Sequence, residues 1–213
     1  MLKVFAINGS PKKDGNTAQI LEGMAQEFAK ESIEMQILHI GHKTIRGCFG
    51  CGGCYTHKDD KCVAKDEPIV NEAIAIMKEA DGIILGAPVH FAGIPGTMKA
   101  FLDRVFYAAG PNKLFRHKVG ASIVAVRRSG GVTTFDQLNH FINYAEMIMP
   151  TSCYWNVVHG RLPGEVHEDI EGIQTARVLA KNMAWTLKML HQAKEAGITP
   201  PEVEAKILTN FVR

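Results

Sequence analysis

The chain has 213 residues, 46% of them hydrophobic and 22% charged, with a formal net charge of +2. These values exclude a fibrous or disordered chain and leave room for a sizeable core, and so mild a charge, without a dense Lys/Arg run, excludes a nucleic-acid surface. No apolar run approaches the roughly 18 residues of a membrane span, and Met1 leads into Leu2–Ile7 without a basic, cleavable leader, so a cytoplasmic protein with reduced thiols is expected.

Lys3–Asn8 reads as a buried strand stopped by Asn-Gly-Ser-Pro, and a helix follows from about Thr17 with Leu21, Met24, Ala25 and Phe28 on one face. Glu34–Ile40 is a second strand, and Cys48–Asp66 is loop-like. Asp66 is placed to cap a helix that carries Ile69, Ala73, Ile76, Met77 and Ala80, with Pro68 in its first turn. Gly82–Ala87 is a third strand, broken by Pro88, and Thr97–Tyr107 fits a helix. Val119–Val126 is a fourth strand and Phe135–Met147 a helix. Tyr154–Val158 is a fifth strand, with Cys153 at its start as a buried filler. One long helix runs from about Glu168 to Glu195, its stripe formed by Val178, Leu179, Met183, Leu187 and Leu190. Gly197 ends it, and residues 197–213 form a tail. Short apolar strands alternating with helices indicate a five-stranded parallel sheet covered on both faces, in a single domain spanning 1–213. Ligands of such sheets bind beyond the carboxyl ends of the strands.

That edge is where the unusual residues lie. Gly9-Ser10-Pro11-Lys12-Lys13-Asp14-Gly15-Asn16-Thr17 joins the first strand to the first helix with hydroxyls, glycines, lysines and a helix N-terminus, a set suited to an anion. Asn16 stands where a Walker A loop needs lysine, and there is no G-x-G-x-x-G dinucleotide fingerprint. A plain turn with an N-cap would account for Gly-Ser-Pro and Asn16/Thr17, though not for the loop's length and polarity. After the third strand comes Pro88-Val89-His90-Phe91-Ala92-Gly93-Ile94, whose glycine permits close backbone approach to a flat ligand. After the fourth strand comes Arg127-Arg128-Ser129-Gly130-Gly131, where two arginines suit a nucleotide phosphate or are simply solvated.

The string Asn8–Thr17, the string Gly86–Arg104 and the C-terminal Thr209-Asn210-Phe211-Val212-Arg213 resemble the NADPH-dependent FMN reductase family of flavodoxin-like proteins. The resemblance implies FMN, with Ser10, Pro11, Lys12, Gly15, Asn16 and Thr17 around its phosphate. It places Pro88, Val89, His90, Phe91, Ala92, Gly93 and Ile94 along the isoalloxazine ring, and Ser129 and Gly130 beside it. His90 stands where that family usually carries an aromatic residue such as tyrosine, which bears on hydrogen bonding at the ring edge. NADPH or NADH is the implied electron donor and a small molecule the acceptor. The flavin supplies the chemistry, so no side chain is assigned as catalytic. Members of the family form homodimers or homotetramers, and the apolar residues around Phe106-Tyr107 or Tyr154-Trp155 suit such a contact.

Four of the five cysteines crowd into Cys48-x2-Cys51-x2-Cys54-x7-Cys62. A C-x2-C-x2-C run lets a short loop wrap a cubane, and the arrangement is similar to the compact cysteine motif of iron–sulfur flavoproteins, a branch of the same family. There the motif ligates a [4Fe–4S] cluster beside FMN, which implies an electron carrier between protein partners. The same residues also suit zinc, with Cys48 or His57 as fourth ligand beside Cys51, Cys54 and Cys62, a redox-active pair, or free thiols.

Overall fold

A computed structural model describes residues 1–209; Asn210–Arg213, the end of the C-terminal string singled out above, lie outside the described residues. Five strands form one sheet: β1 (Lys3–Asn8), β2 (Glu34–His39), β3 (Gly82–Pro88), β4 (Val119–Val126) and β5 (Val157–His159). Their order is β2-β1-β3-β4-β5 and every neighbouring pair is parallel. Six α-helices accompany them among the described residues: α1 (Asn16–Lys30), α2 (Gly53–His57), α3 (Ile69–Glu79), α4 (Gly96–Ala109), α5 (Gly131–Tyr144) and α6 (Ile170–Glu195).

Both faces of the sheet are buried, which is why its strands read as continuous apolar runs rather than alternating ones. Val4 and Ala6 of β1 point to one face and join Ile84, Ile123 and Ala125 beneath α1 and α6. Phe5 and Ile7 point to the other, with Ile83, Leu85 and Val124 beneath α3, α4 and α5. Within the first layer α1 packs on α6, so Leu21, Met24 and Phe28 share a core with Leu179, Met183 and Leu187. No helix among the described residues is long and apolar enough to cross a membrane.

The elements depart from expectation where side chains replace backbone partners. The fifth strand starts at Val157, not Tyr154. The Ser152 hydroxyl accepts from the Tyr154 N–H (3.3 Å) and donates to the Tyr154 carbonyl (2.6 Å), while Asn156 Nδ2 donates to the Ser122 carbonyl (3.0 Å), so this stretch is a turn beside β4. Cys153 lies on that turn and is exposed, not the buried filler expected. α5 starts earlier because Gly130, in the left-handed region at φ +88°, ends the preceding loop and its carbonyl accepts the Thr134 hydroxyl (2.9 Å). The helix ends at Tyr144, just before Glu146 turns to φ +55° and pairs with Lys113 and Arg116. The cysteine-rich stretch contains the short helix α2. Asp66 does not cap α3, since Pro68 holds that position and Asp66 pairs with Arg104 instead.

Candidate functional site

The loop after β1 is held from three sides. Gly9 N–H donates to the Gly86 carbonyl (2.8 Å), joining it to β3. Asn8 Oδ1 accepts from Ser10 N–H (3.0 Å), and Ser10 Oγ accepts from Lys12 N–H (3.2 Å). On the β2 side, Gly41 passes so close that a Cβ there would lie 2.0 Å from the Ser10 carbonyl oxygen. Asn16 Oδ1 accepts from the N–H of Gly164, 148 positions away (3.0 Å), and so ties the start of α1 to the segment after β5.

These ties shape a cavity of about 220 Å³ lined by Ser10, Pro11, Lys12, Gly15, Asn16, Thr17, Pro88, Val89 and His90, together with Ala125, Arg127, Gly160, Arg161 and Pro163. Lys12, Arg127 and Arg161 line it and, among the described residues, no carboxylate does. The N-cap of α1 is Gly15, and no side chain caps the helix. Thr17 is 1% exposed and among the described residues its hydroxyl has no hydrogen-bond partner, although buried hydroxyls are ordinarily satisfied. An open helix N-terminus, an orphaned hydroxyl and three cations in a lining without a carboxylate make a site for a phosphate-sized anion.

Not every expected residue lines this cavity. Phe91, Ala92, Gly93 and Ile94 form a turn on its rim: His90 and Gly93 exchange both backbone hydrogen bonds (3.0 Å each), and Phe91 and Ala92 take positive φ of 49° and 56°. Val89 N–H donates to the Ala125 carbonyl (3.0 Å) and Ile94 N–H to Gln137 Oε1 (3.1 Å). Among the described residues the unpartnered N–H groups of this turn are thus those of Phe91 and Ala92, and the Phe91 ring stands in solvent. Gly130 abuts the same turn, where an added Cβ would meet Ala92 Cα at 2.7 Å, while Ser129 is exposed beside it. Because side chains alternate along a strand end, the two arginines part: Arg127 lines the phosphate-sized cavity, and Arg128 lines a second one of about 310 Å³ with Tyr154, Trp155, His159 and Asp169.

Sequence reasoning missed Gly160, Arg161 and Pro163. Their one sequence signal is position, just after the fifth strand at the same sheet edge; the tie to Asn16 that brings them in is long-range.

The four clustered cysteines converge. Cys48, Cys51, Cys54 and Cys62 line one small cavity with Phe49, Val63, Arg104, Tyr107 and Ala108. α2 holds Cys54, whose thiol is 3.9 Å from the Tyr107 carbonyl. Asn71 of α3 clamps the Cys62 backbone, accepting from its N–H (2.8 Å) and donating to its carbonyl (3.0 Å). Cys48 and Cys51 lie on an exposed stretch where Gly50 and Gly52 take positive φ. Burial pushes the Cys54 thiol up, and the nearby Cys62 and Cys48 add to that. Among the described residues no three His, Cys, Asp or Glu side chains are gathered tightly enough to hold one metal ion.

Residues 2–161 match the family model described as NADPH-dependent FMN reductase. An iron-sulfur flavoprotein of Methanocaldococcus jannaschii is 35% identical over 199 residues, covering 89% of this chain and 99% of that protein. Among solved structures, RosB with bound 8-demethyl-8-formylriboflavin-5'-phosphate superposes with a TM-score of 0.70 at 15% identity, covering 100% of this chain and 93% of that one. FerB of Paracoccus denitrificans, a flavoenzyme NAD(P)H:(acceptor) oxidoreductase, gives 0.64 at 16% identity, covering 89% and 98%. The two structures share the fold. With the sequence match across both loops, they make the chain a flavodoxin-like FMN-dependent oxidoreductase that belongs to the NADPH-dependent FMN reductase family.

Proposed function

We propose that the cavity at the start of α1 receives the phosphate end of FMN, and that the chain passes electrons from NADPH or NADH through FMN to a small acceptor. Thr17 carries this reading: its buried, unpartnered hydroxyl sits at an uncapped helix N-terminus in a cavity with cations and no carboxylate. Bound FMN would supply the electron chemistry, and the chain supplies position, charge and access. The Ser10 and Thr17 hydroxyls, the Asn16 amide, Lys12 and the backbone around Pro11 and Gly15 hold the phosphate, with Arg127 and Arg161 adding charge. The turn Pro88–Ile94 lies along the ring, offering the Phe91 and Ala92 N–H groups in place of the bonded ones of Val89, His90, Gly93 and Ile94. Ser129 and Gly130 flank it, and Arg128 faces the phosphate of the nicotinamide nucleotide.

The test is to purify the chain, release its cofactor and follow NADPH and NADH oxidation with quinone, flavin and ferric acceptors. Flavin bands with donor-dependent bleaching are expected. A chain that binds no flavin on titration overturns the reading.

The cysteine cavity supports an additional cofactor. Four thiols and a buried cation fit a [4Fe–4S] cluster in donor kind, number and charge, and the relatives' name points the same way. The cavity's volume is about 20 Å³, room for about one water, so the exposed residues Cys48, Phe49 and Cys51 would have to give way for the four thiols to hold a cluster. In that case electrons also pass to a protein partner. We read the protein as cytoplasmic and as a homodimer or homotetramer. Of the first candidate patch Phe106 is buried and Tyr107 is 41% exposed, whereas Tyr154 and Trp155 of the second are 60% and 51% exposed.

A further inference from the structure

Among the described residues, the cationic side chain with the least exposed surface lies beside the thiols. Arg104, on α4, is 2% exposed and lines the cavity shared by Cys48, Cys51, Cys54 and Cys62. Its two terminal nitrogens are committed elsewhere. Nη1 donates to Asp66 Oδ2 (3.0 Å) and to the Arg46 carbonyl (3.4 Å), and Nη2 donates to the Ala64 carbonyl (3.0 Å). The third nitrogen of the planar guanidinium, Nε, is buried and its N–H has no partner among the described residues. Native proteins rarely leave such a group unpaired. Asp66, the counter-charge, sits on the outer side and is partly exposed, so it does not satisfy the inner edge. Cys62 lines the same cavity, and Arg104 already holds the Ala64 carbonyl and the Asp66 carboxylate of the segment that follows it.

We propose that Arg104 is the positioning residue of the cysteine site, its Nε–H reserved for the sulfur of Cys62 when that sulfur is an anionic ligand of an iron–sulfur cluster. The inference rests on the cluster reading above. Four thiolates around a cubane carry excess negative charge, and a fixed, dry cation against one of them stabilises the loaded site. It also favours the added electron, because hydrogen bonds and charge at the sulfurs set cluster potential. Lysine in place of Arg104 keeps the charge but not the fork that serves Asp66, Ala64 and the cavity together.

The test uses the full chain with its flavin, reconstituted anaerobically with iron and sulfide. Iron content and the cluster's midpoint potential, followed by EPR, are measured for wild type, R104K, R104Q and D66N. Wild type is expected to load roughly four irons. R104Q is expected to load less and to take up its electron with about a tenfold less favourable equilibrium, ~59 mV more negative for one electron. R104K is expected to lie between, and D66N, which leaves Nε toward Cys62, to stay nearer wild type. R104Q loading normally at the wild-type potential overturns the assignment and makes Arg104 a strut for Asp66 and Ala64. If R104Q does not give folded, flavin-bound protein, R104K decides: a wild-type potential overturns, a lowered one supports. A wild-type chain that binds flavin but no iron sinks the cluster reading itself, and the assignment with it.

Discussion

Thr17 is the residue on which the proposed phosphate site rests, through its buried and unpartnered hydroxyl. A buried hydroxyl left unsatisfied costs about 1–3 kcal/mol, and valine fills the same space without it. T17V should therefore leave the flavin-free chain at least as stable as wild type in urea, yet weaken FMN by about 1.5–3 kcal/mol, the worth of a hydrogen bond to a charged group. Fluorescence titration reads the second effect; unchanged affinity would make Thr17 a packing residue. Residues such as Ser10, Lys12 and Asn16 were legible in the sequence because a strand, a polar glycine loop and a helix follow one another there. Arg104 was not, since an apolar helix face with one arginine reads as a solvated charge until Asp66, Ala64 and the thiols are seen around it. Cys153 was misread because its surroundings form a turn through the Ser152 hydroxyl, which period alone does not show.

At the scale of elements, joints matter more than the strands they join. G41A should displace the phosphate loop, because the added Cβ would meet the backbone oxygens of Ser10 at 2.0 Å and Gly9 at 2.6 Å. A loss of roughly 1–3 kcal/mol in unfolding free energy is expected, with weaker flavin binding, and calorimetry against G23A, where the added Cβ meets open space, checks it. Asp169 joins β5 to α6: it accepts from His159 N–H (2.6 Å) and, as N-cap, from Gly172 N–H (2.9 Å). Burial would raise its pKa, but those N–H groups and the His159 side chain outweigh it and hold the carboxyl below its ordinary value. A depressed carboxylate contributes stability that is complete above the unfolded value of about 3.9 and is lost as pH falls below it. The gap in thermal midpoint between wild type and D169A should therefore be widest at neutral pH, worth about 0.5–2 kcal/mol, and should narrow in acid below that value. A gap that does not change with pH would remove the charge from the account. Apart from the short α2 in the stretch expected to be a loop, strand and helix existence was legible from period and breakers. The boundaries of α5 and β5 were not, because Glu146 and Asn156 act through partners distant in sequence and Gly130 through a positive φ that period does not show.

At the scale of the molecule, the parallel sheet brings three loops to one edge, and this much follows from the alternation of apolar runs and helices. The size of the site does not, since its far wall is Gly160, Arg161 and Pro163. That wall closes a cavity of about 220 Å³, so FMN rather than FAD should co-purify; mass spectrometry of the released cofactor showing FAD alone would contradict it. The clasp between Asn16 and Gly164, 148 positions apart, also orders events during synthesis. At about 5–20 residues per second, the ribosome emits the phosphate loop roughly 7–30 s before the residues that wall it in. A nascent chain stopped short of Gly164 carries the loop without the far wall of the cavity, so on the proposed function flavin capture would mark a chain made past Gly164, and shorter translation products would not draw on the cell's cofactor supply.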